Sequence, residues 1–88
     1  MAIYHLSLGF KGQPLPIEKV QEVLASAGWA RYAPNSWIVD TNEEPKVIVE
    51  KLRSLMNTED SIFMVEVNLK NNYGYLIDST WKWVNSRT

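Results

Sequence analysis

Between Ile3 and Phe10 apolar and polar positions alternate, with Tyr4, Leu6, Leu8 and Phe10 on one side and Ile3, His5, Ser7 and Gly9 on the other. That pattern predicts a strand with one greasy face. Lys11 to Pro16 carries the Gly and Pro of a loop, after which Ile17, Val20, Val23, Leu24 and Ala27 recur at helical spacing. Gly28 fits the left-handed position that ends helices. Trp29 to Ala33, the turn Pro34-Asn35 and the returning segment Ser36 to Asp40 read as a hairpin. In the returning strand Trp37 and Val39 face one way, and Ser36, Ile38 and Asp40 the other. Thr41 with Glu44 matches a capping box, and Pro45 is tolerated in a first turn. A second helix is therefore predicted from about Glu43 to Met56, with Val49, Leu52, Leu55 and Met56 as its apolar stripe alongside Val47 or Ile48. After the polar turn Asn57 to Asp60, Ser61 to Leu69 alternates again, Phe63, Val65, Val67 and Leu69 against Ile62, Met64, Glu66 and Asn68. Tyr73 to Ile77 is a candidate fifth strand, and Ser79 a candidate cap for a short last helix with Trp81, Trp83 and Val84.

The order strand, helix, strand, strand, helix, strand predicts one α+β domain over residues 1–88, a ferredoxin-like βαββαβ sandwich with two helices on one face of a four-stranded antiparallel sheet. A C-terminal strand, a short helix, or both, would follow. If the helices cover Tyr4, Leu6, Leu8, Phe63, Val65 and Val67, the other face presents His5, Ser7, Ile38, Asp40, Ile62, Met64, Glu66 and Asn68. Such a face is too apolar to stand in water. The expected cover is a second copy or the tryptophan-bearing tail, with His5, Ile38, Ile62, Met64, Trp81 and Trp83 at a homodimer interface.

Composition narrows the function classes. The absence of cysteine excludes disulfides, thiolate metal sites and a cysteine nucleophile. Nine basic against ten acidic residues, a formal charge of −1, lack the basic surplus of a non-specific nucleic-acid binder. No apolar run is long enough for a membrane span and the start has no signal-peptide pattern, so the expected location is the cytoplasm, without membrane contact. Four Trp and four Tyr in 88 residues weight the chain toward aromatic packing in cores and interfaces.

Candidate chemistry is thin. His5, the only histidine, could form a proton-moving pair with Asp40, and Glu66, Asp40 and Asp78 could collect a metal ion if folding brought them together. The competing account is a histidine in an interface and solvated or salt-bridged carboxylates. No cofactor and no metal are expected, since no ligand set is fixed by spacing. Glu18 and Glu22 suit a helix N-terminus, and Lys46, Glu50, Lys51 and Arg53 form a mixed-charge solvent face. The tryptophans could stack on unpaired bases, with Arg31, Lys70, Lys82 and Arg87 as candidate phosphate contacts. Core or interface is the competing assignment, firmest for Trp37. Lys11-Gly12-Gln13 lacks the spacing of a phosphate loop.

Several strings carry a family likeness. They are a first strand ending near Gly12-Gln13, the hairpin string Asn35 to Thr41, Glu59 to Val67, and the terminal Trp81-Lys82-Trp83-Val84. Together they resemble the SinR-like small proteins, relatives of the small subunit of the CRISPR adaptation complex and of VapD-type toxins. The resemblance implies a ferredoxin-like dimer, its open sheet faces packed together and a C-terminal strand extending the partner's sheet. Some members of that wider group are metal-dependent nucleases with an aspartate at the end of the first strand. Here Gly9 stands at the corresponding position, so no catalytic residue is carried over. The expectation is a non-catalytic dimeric interaction or scaffold protein, in weak contact with nucleic acid as part of a larger assembly; the alternative is a metal-dependent endoribonuclease of the VapD-like kind using Asp40, Glu66 or His5.

Overall fold

The computed structural model describes residues 2–88. These form four strands and three helices: β1 (Ala2–Gly9), α1 (Ile17–Val23), β2 (Gly28–Ala33), β3 (Ser36–Thr41), α2 (Pro45–Arg53), β4 (Ser61–Glu66) and α3 (Asp78–Asn85). The strands make one antiparallel sheet in the order β2-β3-β1-β4. Each of α1 and α2 joins two strands that have a third between them, and both lie on the same face.

Register decides which side chains meet those helices. Leu6 pairs with Trp37 on one side and Met64 on the other, Tyr4 pairs with Val39, and Leu8 pairs with Ile62. Because directly opposed residues share a face, Leu6, Leu8, Trp37 and Val39 converge under Val20, Leu24, Ile48 and Leu52 in one core. Trp37, the largest fully buried side chain, is 1% exposed. Burying each such leucine contributes about 1.5–3 kcal/mol.

The expected phase of β4 is inverted. Ile62 and Met64 pack against the helix-side core, while Phe63 and Val65 point to the other face and are exposed. Both sides of this strand are apolar, so alternation alone does not say which turns inward; pairing with β1 does. Ile62 and Met64 therefore leave the expected dimer interface.

Several boundaries also move. α1 ends at Val23, and Gly28 opens β2 without a positive φ, so it is not a left-handed cap. Thr41 Oγ1 accepts the Glu43 N–H at 3.0 Å in a local turn, and α2 starts later, at Pro45, with no side-chain cap. That early hydroxyl turn uses up the would-be capping box. The buried residues of α2 are Ile48 and Leu52, so of the two alternatives Val47 and Ile48 it is Ile48 that turns inward, while Leu55 of the expected stripe is exposed. Tyr73 to Ile77 pairs with no strand and so is not a fifth strand, and α3 starts without a Ser79 cap.

α3 lies on the second face of the sheet, against β2. Beneath it Ala30 and Ile38 are buried together with its own Thr80 and Val84. Over this half of the face the cover is thus the tryptophan-bearing tail, one of the two expected, and not a second copy. No helix among the described residues is long and apolar enough to cross a membrane.

Candidate functional site

α3 packs against β2, and Arg87 just past it reaches Asp40 of β3, so the β1–β4 half of the second face is left open. It presents Ile3, His5 and Ser7 from β1 and Phe63 and Val65 from β4, paired Ser7 with Phe63 and His5 with Val65. Phe63 is 64% exposed and Val65 39%. From β2, Tyr32 reaches across β3, and its hydroxyl lies 2.5 Å from His5 Nε2. The two rings are tilted at 50°, so His5 and Tyr32 form the border between the open half and the half under α3. β4 is also an edge strand, hydrogen-bonded to β1 alone. Its outer side carries free ladder groups, and Ser61 to Glu66 contains neither the proline nor the lysine that blunts such edges.

The border at the other end is an ion pair. Arg87, just past α3, donates from Nε to Asp40 Oδ2 at 3.0 Å and lies 3.9 Å over the Trp83 ring. Asp40 is 8% exposed, and its other oxygen, Oδ1, has no partner. Gly28, opposite Asp40 in the hairpin, leaves room for this contact: a Cβ there would stand 2.7 Å from Arg87 Nη2. The pair fastens the end of the chain onto the sheet.

The candidate catalytic residues are dispersed. His5 pairs in register with Ile38 while Asp40 pairs with Ile3, so the two share a face but are engaged elsewhere, by Tyr32 and by Arg87. Glu66 pairs with Tyr4 and so points to the helix side. Asp78 lies in the first turn of α3. Among the described residues no group of three or more His, Asp or Glu side chains is placed to hold a metal ion. At Gly9, a Cβ would fall against Ser61 Oγ, so a side chain there requires Ser61 to turn away.

The four cations raised for nucleic acid do not form a groove. Arg87 is committed to Asp40, and Arg31 lies on the helix side over Trp37, its Nε and Nη2 both on the Pro34 carbonyl. Lys70 follows β4 and Lys82 lies on α3, both exposed. Trp81 and Trp83 of the expected dimer interface are half-buried on α3, and Trp29 meets Trp37 edge-on at 5.2 Å. What sequence reasoning missed is Phe63 and Val65, since the inverted phase of β4 exchanges them for Ile62 and Met64. Compared with protein-family models, with curated proteins and with solved structures, the chain matches none.

Proposed function

We propose that the chain is a ferredoxin-like homodimeric interaction protein of the SinR-like type, assembled through the β1–β4 half of its second sheet face. The sheet order β2-β3-β1-β4 with its two helical crossovers supports the ferredoxin-like assignment. The observation that carries the interaction role is the large exposure of Phe63 and Val65 beside a free strand edge. Apolar side chains grouped in this way mark association surfaces. A two-fold axis that lays one β1–β4 half-face against the other would bury Phe63 and Val65 of both copies in a shared apolar layer.

The occupant is a second copy of the chain. Ile3, His5, Ser7, Phe63, Val65 and Tyr32 include no lysine or arginine, so a phosphate backbone would find no counter-charge on this surface. His5 and Asp40 serve here as structural partners of Tyr32 and Arg87, which supports a non-catalytic role.

Phe63→Asp tests the proposal. It places a charge in the interface while leaving the helix-side core intact. Light scattering should find the parent chain dimeric and this variant monomeric, both with the same circular dichroism. A variant that stays dimeric would remove β4 from the interface.

A further inference from the structure

His5 is the only histidine of the chain, and it stands half-buried on the open β1–β4 half-face, between Ile38 of β3 and Val65 of β4 in register. Strand alternation sets Ile3 and Ser7 on either side of it along β1. Its Nε2 meets the Tyr32 hydroxyl, and among the described residues Nδ1 has no partner. A neutral imidazole suits this setting, because Nε2 can accept the Tyr32 O–H or donate to its oxygen. A protonated ring is a different object. It donates from both nitrogens, accepts from neither and carries a charge.

Among the described residues nothing offsets that charge. β4 turns Phe63 and Val65 toward this face and Glu66 toward the other. On β3 the neighbouring carboxylate, Asp40, is taken by the Arg87 cation. β2 contributes the phenol of Tyr32 and turns Arg31 to the helix side. The charged residues of α3, Asp78 and Lys82, are exposed, and His5 itself forms no ion pair. In the single chain, water solvates an imidazolium at this position. A dimer that covers the half-face displaces that water and brings two such cations, one from each copy, into one apolar layer.

We propose that His5 makes the dimer acid-sensitive, its protonation releasing one copy from the other. This acid response rests on the dimeric reading above and adds its regulation. A dimer that disfavours the charged ring expels a proton from each copy as it forms, so acid favours the separate chains. Imidazole is the side chain that ordinarily changes charge between about pH 5 and 8, which places the release in that range.

Sedimentation velocity over a dilution series, at about pH 7.5 and about pH 5.5, gives the dimer Kd on either side of that change. Kd should rise by about tenfold or more on acidification, since each dimer lost takes up two protons. His5→Gln keeps a neutral hydrogen-bonding side chain beside Tyr32 and should hold one Kd at both values. The unsubstituted chain offers a second readout, because its single histidine gives one Cε1–H signal that reports the charge of His5 alone. The midpoint of that signal should lie lower in a concentrated, dimeric sample than in a dilute, monomeric one. A dimer with equal Kd at both pH values, a midpoint indifferent to dimerisation, or a His5→Gln dimer as acid-sensitive as the parent would overturn the acid response and leave the dimer standing. A chain monomeric at pH 7.5 would overturn both.

Discussion

Asp60 is buried, and each of its carboxylate oxygens accepts a backbone N–H: Oδ1 from Lys11 at 2.9 Å and Oδ2 from Asn57 at 3.0 Å. Arg53 closes the same corner, its guanidinium taking the carbonyls of Asn57, Thr58 and Asp60. The result ties the β1–α1 loop to the α2–β4 loop. Asp60→Ala leaves two part-buried backbone donors without their carboxylate and should cost about 1–3 kcal/mol, read from the midpoint of urea unfolding. Arg87→Ala should cost about 3 kcal/mol, since it strands the Asp40 carboxylate in the interior. Replacing the pair together, Asp40→Leu with Arg87→Met, should recover most of that loss, because two apolar side chains carry no desolvation cost. Neither role was legible in the sequence. Asn57 to Asp60 reads only as a polar turn, and Asp40 and Arg87 are 47 positions apart with no local pattern to link them.

At the scale of elements, the strands and helices of the βαββαβ order were legible because each has its own period. β1 alternates, and Val20 of α1 and Leu24 at its C-cap both turn toward the core as their spacing requires. The ends were less so. Thr41 offers its hydroxyl to Glu43, a choice between two nearby donors that the residue type does not decide. The phase of β4 was illegible for a deeper reason, since an apolar residue stands at nearly every position from Ile62 to Val67. That phase yields a sharp contrast between neighbours. Met64→Asp buries a charge against the core and should unfold the chain or destabilise it by about 3 kcal/mol or more, whereas Phe63→Asp should fold normally and only lose association. Thermal unfolding by circular dichroism separates the two. Equal melting of both variants would contradict the register between Leu6 and Met64.

The whole molecule is more open than its mass requires. Its accessible surface is 5833 Å², against about 5,300 Å² for a compact monomer of this mass. Its radius of gyration is 12.9 Å, against about 12 Å for a domain of this length. The excess lies where partners are lacking: Tyr73 and Tyr75 are each 90% exposed, Ile77 72%, and the β1–β4 half-face is bare. The sequence made an uncomfortable second face legible, but not its division by α3 into a covered and an open half. That division depends on Arg87 meeting Asp40 and on α3 packing against β2. The most direct test of the central claim is sedimentation velocity of the unmodified chain at micromolar concentration. The account predicts one species of twice the 10.1 kDa chain mass. A single boundary at 10.1 kDa would contradict it.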